Sequence, residues 1–427
     1  MVHAETSVSE GRATVGRTAF LHGFSAPASD EFLLINRGEG AAVFDAGGRR
    51  YVDALASLWY SNIGHGRADV ADAVAKQMRA LEAFTTFDRF TNEPAEALAE
   101  RLRGISPVGG RVFFTNSGSE AVETAIKLAR LSYVLSGSDR NLVVSRERAY
   151  HGVTYGGLSA QGIPENRHGF GPFVQGFALI SHHDADAVER FFRDRGTEIA
   201  LVLAEPVIAA GGVIPPPEGY LERLRELCDE YGALLCFDEV VCGFGRLGGW
   251  WGADHYGVRP DLVTFAKGVT SGYLPLGGVI AGPRVVEPLE GAEGFVLRHG
   301  HTFSGHPAAC AAGLTVVDIL EREGLLFHAP QIAEKLGRGL SALAAKGIVA
   351  AARGAGAVWA VDVPEGRTAR SVRLGMERRG VIARPLGERT IAFCPPLVIG
   401  DTDLDLCVDA LAASLEEDEE IVPESPR

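Results

Sequence analysis

The chain has 427 residues, with 41 basic against 55 acidic side chains and a formal charge of −14 at pH 7. That length exceeds one ordinary core and predicts a large domain with a smaller one beside it, while the acidic balance disfavours unspecific binding to nucleic acid or anionic membranes. Residues 1–10 carry no basic segment followed by an apolar core, and no apolar run is long enough to span a bilayer. A cytoplasmic protein with neither nucleic acid nor membrane as partner is therefore expected.

The N-terminal stretch 1–65 contains AAVFDAGGRRYVDA, two apolar runs flanking Gly47-Gly48, which reads as a hairpin. It is expected to join the smaller domain. From about residue 110 to 282, short apolar runs alternate with helical patterns: RVFFTN, NLVVSRE, IALVLAEP, ALLCFDEV, DLVTFAKG and GGVIAG. This rhythm predicts an α/β fold, a buried and mostly parallel sheet flanked by helices. Ligands of such sheets sit beyond the C-terminal strand ends, so the polar residues closing these runs are the candidates for chemistry.

The first candidate is FFTNSGSEAVETAIKLAR, where a strand passes through Ser117-Gly118-Ser119 into an amphipathic helix. Free N–H groups and the helix dipole favour an anion there, so a phosphate site is reasonable; Ser117 with Glu120 three residues on also reads as a plain capping box. In LLCFDEVVCGFG a strand ends on Asp238, and alternation points Asp238 and Val240 to one face and Glu239 to the other. That face suits a pyridinium ring resting on Val240 with its nitrogen toward Asp238, although a carboxylate capping the next turn is equally compatible. DLVTFAKG then places Lys267 at a strand end before a glycine, where partial desolvation makes its amine a candidate Schiff-base former as well as a possible surface lysine. Taken together, phosphate cradle, ring acid and amine match one cofactor, pyridoxal 5′-phosphate (PLP).

Residues 331–427 change character, with an Ala/Leu-rich helix (QIAEKLGRGLSALAAKG), short strands around WAVDV and TIAFCPP, and a closing helix near DTDLDLCVDALAASLEE. The boundaries read as 1–65 contributing to the small domain, 66–325 for the large domain and 326–427 for the small α+β domain. The tail after Glu416 is expected to be a frayed terminus. The six cysteines, Cys228, Cys236, Cys242, Cys310, Cys394 and Cys407, form no CxxC pair, so reduced thiols are expected. Histidines gather at His182-His183-Asp184 and at His299, His301 and His306 without the companion ligands a metal site needs, so no metal is expected.

The motifs TNSGSEA, YHG, AEP, FDEVVCGFGR, FAKG and HTFSGHPAACAAG, in consistent order across about residues 30–410, resemble the class III aminotransferases of the fold type I PLP-dependent family. The resemblance implies that Lys267 holds the cofactor and then moves a proton, and that Asp238 fixes its ring nitrogen. It also implies that Ser117, Gly118 and Ser119 bind the phosphate, that Tyr150 of Tyr150-His151-Gly152 covers one face of the ring and Val240 the other, and that His151 is among the cofactor-binding residues. Glu205 would order the Asp238 side, and Thr302 would reach the phosphate of a neighbouring subunit, which requires a homodimer with shared sites that could pair into a tetramer.

On the substrate side, two positions depart from the 2-oxoglutarate-using branch. Val153 follows YHG where that branch has a carboxylate-binding arginine, and Ala210 stands in EPVIAAGGV where it has a glutamate. Arg384 in ARPLGERTIAFCPP resembles the carboxylate-binding arginine of the ω-amino acid:pyruvate enzymes, although an ordinary surface arginine before proline has the same local sequence. Trp59 and Tyr60 resemble that branch's aromatic wall, with Phe87 supplied by the partner subunit. The leading expectation is an aminotransferase moving an amino group from an ω-amine, ω-amino acid or β-amino acid to pyruvate or a similar 2-oxo acid. A 2-oxoglutarate-using aminotransferase, or an aminomutase, decarboxylase or epimerase on the same scaffold, are the alternatives within the family. A noncatalytic cofactor-binding protein and a dinucleotide-binding oxidoreductase fit poorly, the first because lysine, acid and phosphate groups are all present, the second because no GxGxxG opens the first helix.

Overall fold

The structure, a computed structural model, describes residues 6–9, 12–29 and 31–416; the tail after Glu416 lies outside the described residues. A seven-stranded sheet dominates it, with strands β1 (Arg111–Thr115), β2 (Leu142–Arg146), β3 (Phe177–Ile180), β4 (Ile199–Ala204), β5 (Leu234–Asp238), β6 (Leu262–Phe265) and β7 (Gly277–Ala281). Their spatial order is β1-β7-β6-β5-β4-β2-β3. Only β7 runs antiparallel to its neighbours, so the C-terminal ends of the other six share one edge. Every residue of β2, β4, β5, β6 and β7 is buried. Helices cover both faces, which is why these runs read as continuously apolar rather than alternating.

Six of the seven strands coincide with the apolar runs of the sequence. The seventh, β3, is an edge strand that is only partly buried, and its composition carries less signal for that reason.

Gly47-Gly48 closes the expected hairpin. Ala42–Asp45 pairs antiparallel with Arg50–Asp53, and Asp45 Oδ1 accepts the N–H groups of Gly47 and Arg49 at 2.9 Å each. Val381–Ile382 pairs in parallel with Arg50–Asp53, so one four-stranded sheet is built from both ends of the chain. A second four-stranded sheet, residues 351–362 and 384–393, carries Arg384 on an edge strand. The expected helix through QIAEKLGRGLSALAAKG forms, but widens to a π-turn at Ala333–Gly337. There Gly337 passes so close to Trp359 that a Cβ would overlap the indole ring. Among the described residues no helix is long and apolar enough to cross a membrane.

Arg246 joins the parts. Fully buried, it donates from Nη1 to the Pro395 carbonyl at 2.6 Å and from Nη2 to Asn62 Oδ1 at 2.7 Å. Asn62 Nδ2 in turn donates to the Phe244 carbonyl, and the Asn62 carbonyl accepts from Leu397 N. Replacing Arg246 by methionine strands these buried acceptors, and each such loss costs about 1–3 kcal/mol. Arg246→Met is expected to destabilise the protein by roughly 3 kcal/mol, seen as a lower urea midpoint; an unchanged midpoint would show that the tie is not structural.

Candidate active site

The edge formed by the C-terminal strand ends gathers the candidate residues. Asp238 closes β5 with its carboxylate buried. Oδ1 accepts from the Val240 N–H at 3.2 Å and from the Thr264 hydroxyl at 3.1 Å, and Oδ2 lies 2.8 Å from His151 Nδ1. The parallel register sets Asp238 opposite Thr264. Asp238 thus does cap the turn that follows it, and still keeps acceptor capacity on Oδ2, because a carboxylate has about four lone-pair sites. Thr264 was not singled out in the sequence; a lone hydroxyl inside the apolar run DLVTFAKG is the signal that marks it.

Glu239 turns away, as alternation requires. Its Oε1 accepts from Ala253 N at 2.7 Å and its Oε2 from Gly252 N at 2.8 Å, at the start of helix Gly252–Tyr256. Glu205, just past β4, accepts from Tyr150 N and from Ala209 N, both at 3.0 Å, and burial pushes its carboxyl pKa up. It therefore anchors the backbone of the Tyr150-His151 segment. His151 is fully buried with Nε2 unpartnered.

Ser117 caps helix Gly118–Leu135, its Oγ accepting from Glu120 N at 3.2 Å, while the Glu120 carboxylate takes the Asn116 N–H at 2.7 Å. Ser117 therefore caps the helix, but the reciprocal box does not close, because Glu120 takes the N–H of Asn116 rather than that of Ser117. A Cβ on Gly118 would lie 3.1 Å from both Val240 methyls, so glycine here keeps the helix start against Val240. Ser119 Oγ accepts from Val153 N at 3.1 Å, tying the YHG segment to the helix start.

Lys267 follows β6 in a left-handed conformation, φ 43°. Such strain in a non-glycine residue needs surrounding structure to hold it. Gly268 supplies the room, since a Cβ there would lie 2.8 Å from Asn62 Nδ2 and 2.9 Å from Phe244 Cβ. Burial lowers the Lys267 pKa, opposed by the carboxylates of Asp238 and Glu205. Its Nζ lies 5.7 Å from the centre of the Trp59 ring, and Arg384 Cζ lies 5.9 Å from the same ring and 5.8 Å from that of Phe24. Arg384 is no ordinary surface arginine. It is partly buried, its Nε is buried and unpartnered, and it makes no ion pair among the described residues; burial lowers its pKa, with Tyr150 opposing.

Ala210 packs in the apolar cluster that contains Trp59, and Val153 is 63% exposed. Phe87 and Thr302 stand apart from this group in the protomer. Phe87, with Phe90, Val296, Gly300 and Ser304, lines a separate hollow of about 1270 Å³ to which Lys267, Asp238 and Arg384 do not contribute. Thr302 is exposed on the loop bordering it. His182 and His183 have a neighbour that the sequence did not show. Glu147 joins them, brought alongside by the pairing of β2 with β3, whereas the Asp184 side chain is used to cap helix Ala185–Arg195.

Residues 24–415 match the family described as Aminotransferase class-III. The chain belongs to the class III aminotransferases, PLP-dependent transaminases that act on small molecules. It is 34% identical to the putrescine–pyruvate aminotransferase of Pseudomonas aeruginosa, over 90% of this chain and 91% of that one. It is 36% identical to the diaminobutyrate–2-oxoglutarate transaminase of Halomonas elongata, over 87% of each. A PLP-bound amine transaminase from an uncultivated Pseudomonas species superposes with a TM-score of 0.90 at 36% identity, covering 93% of this chain and 98% of that one.

The buried Glu239 carboxyl has a pKa raised by desolvation to about 8, against an ordinary 4.5. Between those values the folded chain holds a proton that the unfolded chain releases. The group's favourable contribution is therefore complete below about pH 4.5 and is lost as pH rises through 8. Measured by urea midpoints from pH 5 to 8.5, the advantage of wild type over Glu239→Gln is expected to shrink steadily; a pH-independent difference would contradict a protonated Glu239.

Proposed function

We propose that the chain is an aminotransferase that moves an amino group from an ω-amine, ω-amino acid or β-amino acid to pyruvate or a similar monocarboxylic 2-oxo acid. The observation that carries this reading is Arg384, a partly buried guanidinium with no carboxylate partner among the described residues, beside Trp59 and in the same group as Lys267. Its planar fork suits one carboxylate. With Val153 and Ala210 in place of charged residues, nothing at those positions answers a second carboxylate.

The residues present fit PLP. Asp238 has an Oδ2 lone pair left for a ring N–H, Gly118 leaves a helix start clear of side chain beside Val240, and Lys267 brings a desolvated amine. Ser117, Gly118 and Ser119 would hold the phosphate through backbone N–H groups and hydroxyls, with Thr302 of a second subunit adding to it. Tyr150 and Val240 would flank the ring, and His151 and Thr264 hold Asp238 in place. When bound there, PLP supplies an aldehyde for the amino group and a ring that draws electrons from the substrate carbon. Lys267 Nζ, whose pKa burial lowers, would take the proton from the carbon bearing the amino group. Asp238 favours the protonated ring nitrogen by its charge.

The reading includes a cytoplasmic homodimer with shared sites. The aromatic lining of the hollow at Phe87 and Phe90 beside exposed Thr302 supports a second subunit covering that face. It also takes residues 66–325 as the PLP-binding domain, with 1–65 and 326–427 forming the smaller one.

Steady-state and half-reaction measurements test the proposal. The cofactor's visible band should bleach with β-alanine or a simple aryl-alkyl amine and return on adding pyruvate. Arg384→Ala is expected to raise KM for pyruvate roughly 10- to 100-fold while sparing the apolar amine. A 2-oxoglutarate rate far above that with pyruvate for every donor, or bleaching by L-glutamate alone, would contradict the substrate class; carbon dioxide release, or product without any acceptor, would point to a decarboxylase or mutase instead.

A further inference from the structure

The backbone pairing that builds the sheet edge also assembles a cluster unconnected with the PLP site. β2 and β3 run parallel with Arg146 opposite Ile180, and Glu147 N donates to the Ile180 carbonyl at 2.9 Å. The residues just beyond each strand, Glu147 on one and His182-His183 on the other, therefore emerge side by side. One ligand atom from each of the three lies within 4.8 Å of the others. His182 Nδ1 is buried, has no hydrogen-bond partner, and faces Glu147 Oε2 at 3.6 Å.

We propose that Glu147, His182 and His183 form a binding site for one borderline divalent cation of the zinc class, with water completing its shell. Two imidazoles and one carboxylate are a common ligand set for such ions, and bonds of about 2.0–2.2 Å bring tetrahedral ligands to roughly 3.3 Å apart, near the 3.6 Å separation of the His182–Glu147 pair. The unpartnered Nδ1 is otherwise a buried polar atom left unsatisfied, which a cation would relieve. The Ser181 hydroxyl, 3.4 Å from His183 Nδ1, steadies the second ring. Arg146 and Arg148 lie close enough to act on His182 electrostatically. The Glu147 carboxylate offsets part of that charge, and the ion is held by its ligand bonds. Hard cations that take oxygen ligands gain little from such a set. A bound ion would clamp the two strand ends three residues before Tyr150, a structural role rather than a catalytic one.

Zinc titration of the purified holoenzyme, followed by calorimetry and by a thermal shift, tests this without reference to activity. Wild type is expected to bind one equivalent of Zn2+ per protomer at this site and to melt at a higher temperature with zinc than without, and Mg2+ should do neither. Glu147→Gln and His183→Ala, both at exposed side chains, should each lose that equivalent and its thermal shift while melting like wild type in a chelator. Retention of the equivalent in both variants would place the ion elsewhere, and absence of zinc binding to wild type would overturn the site outright. Neither outcome bears on the transaminase reading, since none of the three residues belongs to it.

Discussion

A buried carboxylate at the end of a central strand is the constraint around which this structure is organised. A carboxylate buried away from water is costly unless its oxygens are hydrogen-bonded. Three donors hold Asp238: the Val240 N–H, the Thr264 hydroxyl and His151. Each comes from a different element, so the carboxylate requires the β5–β6 register, the turn after β5 and the segment leading from β2 to be correct together. Glu205 extends the requirement by anchoring the backbone of Tyr150. Lys267, strained and desolvated, stands on the neighbouring strand end, where the Asp238 and Glu205 carboxylates oppose the lowering of its pKa.

The second half of the site depends on the smaller sheets. Arg384 stands on an edge strand and Trp59 on a turn with positive φ at Ala56, Ser57 and Trp59. Both are brought to Lys267 by long-range ties, among them Arg246 bonding Asn62 and Pro395. On the proposed reading, cofactor chemistry and substrate choice would rest on different parts of the chain. This division agrees with relatives that share the scaffold but are named for different donors and acceptors.

Much of this was legible in the sequence where a residue's neighbours along the chain decide its environment. The apolar runs gave six strands, the Gly47-Gly48 pair gave the hairpin, and alternation separated Asp238 from Glu239. What escaped depends on register between distant segments. Thr264 matters because it lies opposite Asp238, and Glu147 joins His182-His183 only because β2 neighbours β3, an edge strand whose partial exposure dilutes its signal. The π-turn at Ala333–Gly337 lies against Trp359, a contact between segments that are not neighbours along the chain. Phe87 and Thr302, expected to act across subunits, line or border a hollow to which Lys267 does not contribute, so the single chain does not bring them to it.

The central claim is that Lys267 is the amine that carries the cofactor. Borohydride reduction of the purified enzyme followed by peptide mass spectrometry measures this directly. The account predicts a pyridoxyl group on the peptide containing Lys267 and none in Lys267→Ala; label on another lysine of the wild-type enzyme, or no label at all, would contradict it.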